Sequence, residues 1–167
     1  LTSLDVSNFD TSNVTIMNSM FSGCRSLKSL DLSNFNTSKV SRMNSMFSGC
    51  RSLISLDVSN FDISNCERFG KREWCVDSMF QNCSSLTTLD LTSFDMSKVI
   101  NMDFMFSNCN KLTTIYVSDL WGVSNVTSSN SAFYSCYSLK GAVSFDSGKT
   151  DVSMANYTNG YLTYKKR

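Results

Sequence analysis

The 167-residue chain contains no histidine and no proline, only seven glycines, and no apolar run close to the roughly 20 residues that span a bilayer. Without histidine it lacks the commonest general base and metal ligand. Without proline or a Gly/Ser/Pro-rich linker it shows no domain boundary, so one domain is the reading. Charge of either sign is scarce: 15 basic and 14 acidic residues leave a formal net charge of +1. No overall basic field favours nucleic acid or anionic lipid, and the local basic clusters are confined to Lys71-Arg72 and the terminal YKKR. G-x-S-x-G, phosphate loops and zinc spacings are missing as well, and the carboxylates fall in columns instead of convergent pairs. The expectation is a protein that is not an enzyme, with no catalytic residue, no metal and no cofactor. Residue 1 is neither Met nor the start of a basic-then-apolar signal, so the sequence reads as a piece of something larger.

What is present is repetition. MFSGCRSLKSLDLSNF at 20–35 returns at 46–61 as MFSGCRSLISLDVSNF, with two changes in sixteen positions. Leu1, Leu27 and Leu53 lie 26 apart, as do Leu86 and Leu112; the third unit carries seven extra residues and the fifth carries one. The array therefore covers residues 1–138 in five turns, with an insertion at 67–74, followed by a divergent last turn and cap at 139–167. Read in columns, Leu4/Leu30/Leu56/Leu89/Ile115 and Val6/Leu32/Val58/Leu91/Val117 alternate with polar residues, the period of a short strand with one buried face. Val14, Met17, Phe21 and Cys24 follow at spacings of three or four, a helical stripe preceded by capping Asp, Thr and Ser. The column Gly23/Gly49/Asn82/Asn108/Ser135 suits a left-handed position and would end that helix. A short helix is the first reading of this segment; an extended or 3₁₀ stretch is the second. One unit cannot bury its own apolar face, so each is expected to stack on the next.

The pattern L-x-x-L-x-L with M/A-F-x-x-C-x-x-L resembles the leucine-rich repeats of the BspA-like bacterial surface proteins, and LDLSNFDTSNV…M…MFSGC resembles their 26-residue subfamily in mycoplasmas and Gram-positive bacteria. The tail GAVSFDSGKTDVSMANYTNGYLTYKK resembles the capping segment that follows such arrays. The resemblance implies an α/β fold, a right-handed leucine-rich-repeat solenoid with one short parallel strand and a short helix or 3₁₀ segment per turn. It also implies an extracellular, cell-surface setting and adhesion.

Seven cysteines divide into two groups. Cys24, Cys50, Cys83, Cys109 and Cys136 form one column that faces the core as small apolar groups. Cys66 and Cys75 flank the insertion, and a disulfide between them is expected to close that loop. Asp5, Asp31, Asp57 and Asp90 form an outward column at about 4.8 Å spacing. It reads mainly as carboxylates hydrogen-bonded to neighbouring serines or paired with Arg25, Arg51 and Lys28, and secondarily as a calcium site. The hydroxyl column Ser3/Ser29/Ser55/Thr88/Thr114 reads as solvated strand residues.

Positions that break the columns point to function. The insertion brings Arg68, Phe69, Lys71, Arg72 and Trp74, a composition enriched at binding hot spots. In the fifth turn Tyr116, Trp121, Tyr134 and Tyr137 replace polar residues, either as an exposed contact surface or as partners packed under the tail. Asn159-Gly160 reads as a hairpin turn joining strands at 154–157 and 161–164. The expected function is a non-enzymatic binding or adhesion module. Its partner would be a host or neighbouring-cell surface protein, an extracellular-matrix protein or a glycan. A structural spacer is the second reading.

Overall fold

A computed structural model describes residues 1–65 and 75–167. Successive units lie side by side, joined by hydrogen bonds between residues about one repeat apart. Three short strands form one parallel sheet in the order β1-β2-β3: β1 (Thr88–Asp90), β2 (Thr114–Val117) and β3 (Thr163–Tyr164). Thr88 pairs with Thr114 and Asp90 with Tyr116, and β3 then lies along β2 with Thr163 opposite Tyr116. The strand expected in every unit is regular only where the fourth and fifth units carry Thr-Thr before the alternating apolar residues. Threonine holds the extended backbone better than the serine of the first three units. The inter-unit bonds follow the same trend: Lys28 N–H to Thr2 O is 3.5 Å and Ile54 to Lys28 is 3.2 Å, whereas Thr113 to Thr87 is 2.9 Å.

The short helix expected over residues 14–24 does not form, and the described residues contain no α-helix. Its amides divide into two sets instead. Met17, Ser19, Phe21 and Gly23 donate to the carbonyls of Arg42, Asn44, Met46 and Ser48 in the next unit, at 2.7–2.9 Å. Met20, Ser22 and Cys24 donate to the carbonyl three residues back, at 3.0–3.3 Å. The segment is a run of consecutive β-turns, and it needs a left-handed residue every fourth position. Ser19 (φ 57°) and Gly23 (φ 76°) supply it, and both columns keep positive φ in all five units. The Gly/Asn column thus takes the left-handed conformation foreseen for it without ending a helix. Turning Met17, Phe21, Cys24 and Leu27 toward the core at intervals of three and four satisfies either geometry, and bonding to the neighbouring unit selects the turns. The only 3₁₀ turns among the described residues are Met96–Lys98 and Val152–Met154, each opened by an aspartate that accepts from the amide two residues on.

The core is a set of translated columns. Phe21, Phe47, Phe80, Phe106 and Phe133 stack nearly parallel at 5.4–5.9 Å between centroids, and Tyr161 closes the row edge-on at 81°. Beside them the thiols of Cys50, Cys83, Cys109 and Cys136 each donate to the carbonyl of the phenylalanine one unit back, at 3.0–3.2 Å. Burial pushes these thiols up, to about 11 for Cys50 and about 12 for Cys136. Asparagine amides knit the opposite corner: Asn34 donates to Val6 O and Phe9 O, and Asn60 to Leu32 O and Phe35 O.

The cap is not the expected hairpin. The 154–157 stretch begins inside the Val152–Met154 turn, and the chain doubles back so closely that Tyr161 N–H reaches Met154 O at 2.9 Å and Leu162 reaches Asn156 O at 3.1 Å. A Cβ on Gly160 would fall 2.4 Å from Met154 O, so glycine is required there for close approach rather than for a hairpin turn. The strand that follows pairs in parallel with β2.

Candidate functional site

The outward aspartates line the strand side, with Asp90 ending β1. Asp5, Asp31, Asp57 and Asp90 each accept the backbone amide two residues on, at 2.9–3.1 Å. Hydrogen bonds from Ser7 and Ser33 hold Asp5 and Asp31 below the usual carboxylate range. A groove of about 360 Å³, lined by Ser29, Asp31, Ser55, Asp57 and Asn60, opens between the second and third units. No group of three or more Cys, Asp or Glu is placed to hold a metal ion among the described residues. At Asp90 the cap supplies a cation: Lys165 Nζ lies 2.5 Å from its carboxylate and 5.3 Å above the Tyr116 ring. Burial raises Asp90, but hydrogen bonds from Lys165 and Thr92 outweigh it and bring the carboxyl below its ordinary value; the same pairing raises Lys165.

The expected binding residues fall into different places. Arg68, Phe69, Lys71, Arg72 and Trp74 lie outside the described residues, as does Cys66. Cys75 is buried and disulfide-bonded. Trp121 is only 6% exposed, and its Nε1 donates to the Ala155 carbonyl at 3.1 Å. Of the two readings for that indole, packing under the tail is the one it adopts. Tyr116 is half-buried beneath Lys165. Tyr134 and Tyr137 are open, 53% and 64% exposed, on the turn side of the fifth unit. Tyr137 is held by Ser135 Oγ at 2.9 Å and by an edge contact with Phe145 at 5.8 Å.

One residue escaped the sequence reading. Phe104 occupies the left-handed column in which every other unit has serine, at φ 55° and 39% exposed. A bulky residue in that conformation is strained, and here the strain secures no burial. The signal was available as a column break, Ser19/Ser45/Ser78/Phe104/Ser131. Phe104, Tyr134 and Tyr137 thus give the turn side of the last two units an aromatic surface where the first units carry Ser19, Ser22 and Arg25.

A second column on that side holds Asn18, Asn44, Asp77, Asp103 and Asn130. Asp103 accepts from Ser128 Oγ and from the Asn130 amides at 2.6–3.1 Å. Asp77 has a buried oxygen without a partner. Burial, with a smaller push from Asp103, lifts its carboxyl from 3.8 to about 6. The folded state therefore binds more protons than the unfolded chain between pH 4 and 6, and stability falls as pH rises through that window. We expect a loss of about 1–2 kcal/mol, reduced from the full linkage value by solvent screening. Asp77→Asn should flatten the profile between pH 4 and 6 and stabilise the protein by a similar amount at pH 7. Urea melts at both ends of the window read this directly, and an unchanged slope would show that Asp77 does not titrate there.

Side-by-side units with a shared column core make this a repeat protein whose variation is carried on its surface. A family model described as "Mycoplasma protein of unknown function, DUF285" matches residues 2–72 and 74–163, and the chain belongs to that family. No curated protein and no solved structure matches the chain.

Proposed function

We propose that the chain is a non-enzymatic binding or adhesion module on a bacterial cell surface. In this reading it is a right-handed solenoid of the BspA-like leucine-rich-repeat kind that recognises a surface protein, an extracellular-matrix protein or a glycan. The observation that carries the proposal is the exposed trio Phe104, Tyr134 and Tyr137, in columns that elsewhere hold Ser, Gln, Asn or Arg. Aromatic rings in water are retained more readily for a contact than for stability, since their burial elsewhere in the chain is what stabilises the stack. A disulfide between Cys66 and Cys75, closing the insertion, belongs to the same proposal and suits an oxidising exterior. The regular ring stack favours a second reading, a stiff spacer that projects another domain.

A panel of glycans and matrix proteins separates the two. We expect a ligand whose affinity drops at least about tenfold in Tyr134→Ala/Tyr137→Ala and in Phe104→Ser, with melting temperatures close to that of the parent. A binder indifferent to all three changes would move the site elsewhere. No binder in a folded protein would favour the spacer.

A further inference from the structure

Asn159-Gly160 is the one place in the chain where an asparagine precedes glycine; each of the others is followed by a residue with a Cβ. No other neighbour makes an asparagine so reactive. Its side-chain carbonyl carbon closes a five-membered ring with the next backbone nitrogen, and glycine leaves that nitrogen unshielded. The structure keeps both reacting groups free. Asn159 is exposed, its side chain makes no hydrogen bond among the described residues, and the Gly160 N–H donates to none of them. Asn159 also lines an open groove of about 360 Å³ with Ser144, Asp146, Lys149 and Ser153, so water reaches it. Asn156, three residues earlier, is the contrast. Its Oδ1 accepts from the Thr158 and Asn159 N–H groups at 3.1 and 2.9 Å, its Nδ2 donates to Ser153 O at 2.9 Å, and the next nitrogen belongs to tyrosine.

We infer that Asn159 is a site of spontaneous covalent modification, deamidation through a succinimide, and that its isoaspartyl product loosens the cap. Gly160 gives its amide proton to hydroxide and its nitrogen attacks Asn159 Cγ. The N–Cγ bond forms, the Cγ–Nδ2 bond breaks, and the side-chain nitrogen leaves as ammonia with a proton taken from water. Water then opens the ring. Cleavage at Cγ yields aspartate on the original main chain, and cleavage at the α-carbonyl yields isoaspartate, whose main chain runs through Cβ and Cγ. The second product lengthens the main chain by one carbon, about 1.5 Å, where the cap has least room. A Cβ on Gly160 would already meet Met154 O at 2.4 Å and Asn156 O at 2.6 Å. Gly160 O accepts from Val143 N–H at 3.2 Å, and Tyr161 N–H donates to Met154 O at 2.9 Å. Both bonds flank the inserted carbon. Their loss releases Tyr161 from the end of the ring stack and frees β3 beyond it.

The test holds the whole folded chain in mildly alkaline buffer and follows the tryptic peptide 150–165 by mass. We expect a gain of about one dalton, amide for acid, localised to Asn159 and appearing at least about tenfold faster than at any other asparagine. Two products should separate by chromatography. Molecules carrying isoaspartate should lose hydrogen-exchange protection at Tyr161 and Val143, and those carrying aspartate should keep it. Asn159→Gln, which retains an amide but would have to close a six-membered ring, should gain no mass at this position and stay protected over the same period. Freshly prepared Asn159→Asp adds the charge without the extra carbon and should stay protected too. A rate at Asn159 far below that of the isolated 150–165 peptide would show that the cap restrains the amide, and would overturn the site. Isoaspartate at Asn159 with protection at Tyr161 and Val143 unchanged would overturn its effect on the cap.

Discussion

Phe80→Ala should lower the unfolding free energy by about 3–5 kcal/mol, the cost of removing a fully buried phenylalanine. The ring lies between Phe47 at 5.8 Å and Phe106 at 5.9 Å, with interplanar angles of 7° and 4°, and is 0% exposed. The loss also interrupts the column halfway. In a stack where each unit touches only its neighbours, a void at one layer uncouples the units on either side. We therefore expect the single urea transition to broaden or split, with the C-terminal units and cap unfolding apart from the N-terminal ones. Phe21→Ala removes a ring with a stack neighbour on one side only, and should cost less and keep one transition. Equal costs at the two positions would mean that the rings contribute as isolated apolar groups and that the column couples nothing.

The second large effect is at the cap. Trp121→Ala should destabilise by about 3–5 kcal/mol, and the damage should be local at first. The indole anchors the Val152–Met154 turn and its C-terminal neighbour through the bond from Nε1 to Ala155 O. Amides of residues 161–165 should lose exchange protection before the fourth unit does. Trp121→Phe keeps most of the packing and forfeits one buried hydrogen bond, so about 1 kcal/mol is expected. If Trp121→Ala left stability untouched and abolished binding of a ligand found in the screen, the indole would be a contact residue after all.

These two residues also show how far a sequence of this kind can be read. Phe80 was legible because the 26-residue period fixes which residues share a column, and translation puts the same side chain in the same environment. The buried cysteines and the Leu27, Leu53 and Leu86 column follow from the same reasoning. Trp121 was not legible, because a break in a column arises equally from a ligand contact and from a cap that needs something large to rest on. Only the position of the Ala155 carbonyl separates those causes. The turn segment was misread for a related reason. Apolar residues three and four apart describe the side of a helix and a run of β-turns alike, and a serine at position 19 carries no mark of a left-handed backbone. Gly23 carries that mark, but a single glycine is compatible with the end of a helix. The hairpin at Asn159-Gly160 failed because that glycine answers to steric closeness, with the Met154 and Asn156 carbonyls directly against it. At the candidate site, Tyr134 and Tyr137 were legible as departures, whereas Phe104 required a column whose backbone conformation was unknown.

The edge-on ring of Tyr161 has an implication for how such an assembly grows. A row of parallel rings is a one-dimensional crystal: each layer is a template for another, and nothing in the lattice itself says where to stop. Turning the last ring by 81° presents the next layer with an edge instead of a face. The hydroxyl, which accepts from Asp146 N–H and lies within 3.0 Å of the Asp146 and Lys149 carbonyls, pins it in that attitude. Tyr161 thus turns the row at the cap, passing it on through a tilted contact to Phe145 at 5.5 Å instead of offering a further parallel face.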